Sequence, residues 1–278
     1  PHAEVHAINQ IRDKTSLVGA EIYCSLEPCS HFGKTNPCVE SIIKSGISKV
    51  YVASIDKNPL VNGKGIAKLK KLNIKVQMLF NRDIDELNNI FFNSKIKKRP
   101  LIISKIASTL DSKIATASSE SKWITNSLSR SHGHYLRFKC DAMLVGKNTI
   151  LLDNTDLPCR LNGLQLFSPN IFILDSNLEI PTKQKIFKSK KRQVYIFYKK
   201  NLDKKKLKKF NKFNVVLLPI TLKDGVLDVN EAILSMAELG AQRVLVEGGA
   251  ELLTQLINKK LVDILYWFRA SKLIGKDG

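Results

Sequence analysis

The chain of 278 residues carries 45 Lys and Arg against 25 Asp and Glu, a formal charge of +20, and is 44% hydrophobic. That is enough apolar material for two ordinary domains, and no apolar run is long enough for a membrane-spanning helix. Five cysteines, an odd and low count, exclude a disulfide scaffold and suit a reducing, cytoplasmic setting. The charge invites a nucleic-acid reading, but fourteen Lys and Arg fall within 183–212 with Asp203 as the one acid. That run reads as a solvated face, broken by the strand pattern Val194–Tyr198, so neither nucleic acid nor membrane is expected as a partner. The chain opens on Pro1 and stops at Gly278 in no obvious element, which reads as a fragment cut at both ends.

In chain order, residues 2–13 are expected as a helix, Ala20–Leu26 as a strand and Cys38–Ser45 as a helix closed by a left-handed Gly46. Strand Lys49–Ser54, a helix from Gly63 to Leu72, strand Ile74–Leu79 and a helix near 83–93 follow. The basic run Lys95–Pro100 reads as a boundary, dividing domains at 1–98 and 99–278. A second series then begins: strand Leu101–Ala107, helix Asn126–Lys139, and strands Ala142–Val145, Ile171–Leu174, Val194–Tyr198 and Asn214–Pro219. A helix over 230–239, strand Arg243–Val246 and a helix ending at Ile257 complete it. Alternating helices and strands predict an α/β fold with largely parallel sheets.

The most specific chemistry sits at the start. His2, Cys29 and Cys38 form a His/Cys/Cys set, with each cysteine preceded by proline, and Glu4 lies two residues after the histidine. A zinc ion on one His and two thiolates keeps a fourth position for water, and a carboxylate that is not a ligand moves the protons of a deamination. Cys38 opens a helix, where the backbone field favours a thiolate. Eight residues separate the cysteines where two are common, and this insertion brings His31, Lys34 and Thr35 to meet an anionic substrate. A purely structural zinc, with His6 or His31 as fourth ligand, is the bland alternative and leaves Glu4 unexplained. A zincin built on His2 and His6 is weaker still, because the Glu is not adjacent to the first His. Cys24, Cys140 and Cys159 are expected as plain buried residues.

The segment PHAE…LEPCSHFGKTNPC resembles the bifunctional riboflavin-biosynthesis deaminase/reductase family across essentially the whole chain. The resemblance implies a partial cytidine-deaminase-like α/β/α domain followed by a dihydrofolate-reductase-like α/β domain. It implies zinc and NADPH as cofactors and a small pyrimidine ribotide phosphate as substrate, deaminated first and then reduced at its ribosyl group. It also implies site residues in the second half. Ser121, Arg137, Leu157, Arg160 and Glu247 match substrate positions, with Lys34 and Lys105 added for the phosphate and the sugar. Ala107, Trp123, Thr149, Asp153, Ser176 and Gly249 match cofactor positions. From residue type alone, Trp123 reads as core and each Arg as a surface ion-pair partner. Gly146 is expected at a tight turn, and Gly248-Gly249 at a turn that lets backbone N–H groups approach a pyrophosphate. An RNA deaminase and a binding protein with structural zinc remain as alternatives, and a homo-oligomer is compatible with the sequence.

Overall fold

A computed structural model describes residues 2–33, 35–80, 82–118, 124–154, 156–188 and 192–277, apart from the side chains of Glu86, Ser94, Lys95 and Asp153. The chain forms two compact units, Pro1–Lys98 and Arg99–Gly278. None of the helices among the described residues is long and apolar enough to cross a membrane.

The first unit runs α1 (Ala3–Gln10), β1 (Glu21–Cys24), α2 (Cys38–Lys44), β2 (Lys49–Val52), α3 (Lys64–Lys71), β3 (Lys75–Met78) and α4 (Arg82–Lys97). The strands form a parallel sheet in the order β1-β2-β3, with Tyr23 opposite Tyr51 and Tyr51 opposite Gln77. Successive strand side chains point to opposite faces. Cys24, Val50 and Val52 therefore turn to one side, where Ile8, Val39, Ile42 and Leu69 of the helices meet them. The first helix is shorter than the 2–13 expected. Asp13 accepts hydrogen bonds from the Thr15 N–H and hydroxyl and so starts a 3-10 turn at Lys14–Leu17 instead. His2 accordingly precedes α1 as its N-cap residue rather than lying in its first turn. Gly46 has φ +75° just after α2, the left-handed conformation that glycine adopts without penalty. The basic run at 95–100 is not all linker, since α4 extends to Lys97.

The second unit holds β4 (Leu101–Ser108), α5 (Ser127–Lys139), β5 (Ala142–Gly146), α6 (Lys147–Asp153), β6 (Asn170–Leu174), β7 (Val194–Lys199) and α7 (Lys204–Lys208). It continues through β8 (Val215–Ile220), β9 (Leu222–Lys223), β10 (Val226–Leu227), α8 (Val229–Glu238), β11 (Arg243–Val246), α9 (Ala250–Asn258) and β12 (Ile264–Arg269). Seven strands form one parallel sheet in the order β12-β4-β11-β5-β6-β7-β8, and β9 and β10 make a small antiparallel pair. Residues 142–145 of β5 are all buried, as a strand covered on both faces requires. On one face Ala142, Leu144, Val244 and Val246 pack with Ala232, Ile233 and Met236 of α8 and Leu252 and Leu256 of α9. Asn126 caps α5 by accepting the Ser129 N–H.

Two expectations need correction here. Gly146 has φ −83° and is the extended residue before α6, so no tight turn forms there. Gly248 and Gly249 do connect β11 to α9, with Gly249 at φ −67° as the N-cap residue. Within the lysine-rich tract, Arg192 is 7% exposed and belongs to the interior rather than to the solvated face.

Candidate functional sites

In the first unit, α1 begins immediately after His2 and α2 begins at Cys38, so two helix starts converge on one point. His2 Nδ1 lies 3.2 Å from Cys38 Sγ and 3.5 Å from Cys29 Sγ. One ligand atom from each of the three residues falls within 4.8 Å of the others, a spacing suited to a single ion. The Cys38 N–H points at Cys29 Sγ over 3.4 Å, and Glu4 Oε2 lies 3.4 Å from Cys38 Sγ. Burial pushes the Cys38 thiol up, and the charges of Glu4 and Cys29 push it further. A divalent cation reverses that balance by holding thiolates directly, so the donor set fits zinc. His6 is paired with Gln10 at 3.1 Å, and neither it nor His31 joins the cluster among the described residues. Lys34 lies outside the described residues.

In the second unit, a cleft of about 590 Å³ opens at the carboxyl ends of β4, β5, β6 and β11. The chain reaches β5 from β4 with β11 lying between them, the kind of strand-order break at which parallel sheets bind ligands. Of the residues expected there, Lys105, Ala107, Arg137, Thr149, Leu157, Ser176, Glu247 and Gly249 line it. Arg160 is exposed and is not among the lining residues, although its charge reaches His134. Ser121 and Trp123 lie outside the described residues, and Asp153 ends α6 with its side chain undescribed.

The cleft floor is organised by one ion pair. Arg137 donates from Nε to Glu247 Oε1 at 2.7 Å and from Nη2 to Oε2 at 2.8 Å, a two-pronged match of fork to carboxylate. Burial alone would raise the Glu247 carboxyl, but the charge and hydrogen bonds of Arg137 outweigh it and hold Glu247 below its ordinary range. Burial likewise opposes the charge of Arg137, and Glu247 more than restores it. His134 is depressed by burial first and by Arg137 and Arg160 second. Arg137 also donates from Nη1 to Pro158 O at 3.0 Å, and Arg192 donates to Leu157 O at 2.9 Å. Two arginines thus clamp adjacent carbonyls of the wall loop in which Leu157 sits at φ +52°. Burial lowers Arg192 to about 10. Sequence reasoning missed Arg192; its signal was a lone arginine in a run of lysines, with a fork able to hold carbonyls where an ammonium is a point donor.

The cleft also fits a dinucleotide. The α9 N-terminus carries no side-chain cap, and a β-carbon on Gly249 would meet nothing within 4 Å, so a phosphate group has room to reach the free N–H groups. NADPH would supply hydride in such a cleft, with the chain's own residues orienting it.

A His/Cys/Cys cluster with an adjacent carboxylate is the arrangement of a zinc deaminase, and a cleft at the carboxyl ends of a parallel sheet with an open helix start suits a nucleotide-using reductase. Residues 1–54 match the cytidine and deoxycytidylate deaminase zinc-binding region, and residues 100–278 match the RibD C-terminal domain. The chain belongs to the RibD family of riboflavin biosynthesis, whose members are bifunctional deaminase/reductases. It is 38% identical to riboflavin biosynthesis protein RibD of Aquifex aeolicus over 278 residues, covering 99% of this chain and 75% of that protein. The solved diaminohydroxyphosphoribosylaminopyrimidine deaminase/5-amino-6-(5-phosphoribosylamino)uracil reductase of Thermotoga maritima superposes with a TM-score of 0.77 at 32% identity, over 99% of this chain and 75% of that one. Acinetobacter baumannii RibD superposes at 0.78 with 31% identity, over 100% and 76%.

Proposed function

We propose that the two units carry out the two reactions for which the Thermotoga protein is named. Residues 1–98 deaminate the diaminohydroxyphosphoribosylaminopyrimidine, and residues 99–278 reduce the resulting 5-amino-6-(5-phosphoribosylamino)uracil to its ribityl form. The observation that carries this reading is the Glu4 carboxylate, 3.4 Å from Cys38 Sγ and itself outside the metal-ligand cluster. His2, Cys29 and Cys38 hold zinc, which supplies Lewis-acid activation of water when bound. Glu4 would move the first proton of that water to the ring nitrogen and then the remaining proton of the added hydroxyl to the departing amine, which leaves as ammonia while the carbonyl forms. Lys34 meets the substrate phosphate.

In the second unit Arg137 and Leu157, which line the cleft, contact the ribotide, and the family match adds Ser121 and Arg160 as substrate residues, Arg160 acting from outside the cleft lining. Glu247 fixes the Arg137 fork, and Lys105 donates a hydrogen bond to the sugar. Ala107, Trp123, Thr149, Asp153, Ser176 and Gly249 seat the cofactor. The partner is a small anionic molecule, with no nucleic acid or membrane involved, and the setting is the cytoplasm.

The test follows ammonia release and NADPH oxidation together on the pyrimidine ribotide. Ammonia followed by NADPH loss is expected, with Glu4→Ala stopping both until the deaminated product is supplied. Zinc-loaded protein giving neither signal refutes the reading and turns attention to RNA, whose binding would fall steeply with salt.

A further inference from the structure

Glu27 is 3% exposed, and among the described residues its carboxylate accepts four backbone N–H groups. Oε2 accepts the Gly63 N–H at 2.8 Å and the Asp56 N–H at 3.3 Å, and Oε1 accepts the Gly65 N–H at 3.0 Å and the Ile66 N–H at 3.3 Å. These donors are the loop before α3 and its first turn, whose N–H groups have no partners within the helix. One residue further on, α3 comes so near that a β-carbon on Gly65 would sit 2.0 Å from Pro28 O. Backbone bonds extend the anchorage, since the Glu27 N–H donates to Ser54 O at 2.9 Å beyond the end of β2. Next in the chain is Cys29. Its carbonyl accepts the Val39 N–H at 3.2 Å, and its sulfur meets the Cys38 N–H.

The loop bearing Cys29 is therefore pinned at one end to α2, which supplies Cys38, and at the other to α3, which supplies no ligand. Resting on the zinc reading above, we propose that Glu27 is a positioning residue for the metal centre. Its carboxylate and the close fit of Gly65 under Pro28 set the distance of Cys29 Sγ from His2 and Cys38. Both carboxylate oxygens are needed, because each accepts two N–H groups. An amide in the same place would turn its own N–H₂ toward two donors. The role differs from that of Glu4, which approaches the sulfur of Cys38 directly.

The test replaces zinc with Co(II) in the full chain and reads the thiolate-to-cobalt charge-transfer absorption, together with metal release to a chelator. The variants are Glu27→Gln, which disrupts the cradle, and Gly65→Ala, whose β-carbon pushes Pro28 O away and crowds Glu27 Oε1 at 3.3 Å while keeping the carboxylate charge. Glu40→Gln, which removes the half-buried ion pair of Glu40 with Lys68 between α2 and α3, is the control. Loss of Cys29 as a ligand would cut the charge-transfer intensity to about half, since one of two thiolates remains. Metal affinity is expected to fall about 10–100-fold in both variants, the usual cost of losing a group that orients ligands. The control is expected to match the parent. Parent-like spectra and affinity in both variants overturn the positioning role. So does loss of helical structure in both metal-free variants, which would make Glu27 a holder of the fold. Absence of any thiolate charge transfer in the parent chain overturns the zinc reading itself, and this role with it.

Discussion

Replacing Arg137 by Met strands Glu247 in the floor of the cleft. The two side chains are 13% and 12% exposed, and their two hydrogen bonds at 2.7 and 2.8 Å leave little room for water. Removing one member of such a pair costs about 3–5 kcal/mol, because the remaining charge keeps its desolvation penalty. For a unit the size of the second one, that corresponds to a fall in Tm of about 6–20 °C. Both tryptophans, Trp123 and Trp267, fall within 99–278, so tryptophan fluorescence reports the melting of this unit alone. The pair Arg137→Met with Glu247→Leu removes both charges and is expected to regain most of the loss, since apolar replacement of a buried pair is often neutral.

The pH dependence has a definite sign. In the parent chain Glu247 is held below its ordinary value, so the stability it contributes is present above the usual carboxylate range and lost as pH falls through its folded value. Without Arg137, burial raises the carboxyl against the weaker pull of Lys105 and His134, so the single variant is most damaged at high pH and is relieved as acid protonates Glu247. Equal losses at pH 5 and pH 8, or a double variant no better than the single, would refute the account of the cleft floor.

Three further outcomes follow from the same geometry. Glu4→Gln is expected to retain one zinc per chain and full reductase turnover on deaminated substrate while deamination falls at least about 100-fold, as removal of a proton shuttle does; metal analysis with the two separate assays checks it. Gly249→Val places a side chain in open cleft space at an ordinary φ, so its Tm should stay within a few degrees while NADPH binding, read by fluorescence titration, weakens about tenfold or more. Arg192→Met releases Leu157 O, and the KM for the ribotide is expected to rise several-fold with kcat little changed; a fall in kcat alone would contradict the clamp.

The metal centre was legible because its chemistry is rare and its residues lie close together in the chain. His2 with Glu4, and Cys29 with Cys38, announce themselves by type and spacing, and Pro37 stands just before α2 as its N-cap residue. The long runs of Val, Ile and Leu in β4, β5 and β11 were readable as buried parallel strands for the same reason of local pattern. Other features depend on distance in space. Arg137 and Glu247 are 110 residues apart, and nothing near either in sequence names the other. Glu27 reads as an ordinary loop acid, because its donors come from residues 56 to 66. The helix at Lys147–Asp153 spans only about two turns, too few for a repeated apolar pattern. In β12, at the edge of the sheet, Leu265 and Trp267 stay about half exposed, so its burial alternates where a central strand reads as continuously apolar.

The strand order of the second unit also bears on how it comes into being. β4 is made first, yet both of its neighbours, β11 and β12, are made last, with Leu101 paired to Arg243 about 140 residues later. On the ribosome the apolar edges of β4 wait through the synthesis of most of the unit before they are covered. Such late pairing slows folding and leaves sticky surface uncovered during the wait. Chains halted anywhere before Arg243 would lack β11, the strand that joins β4 to β5, so truncations in this unit should accumulate as aggregates rather than as smaller folded proteins.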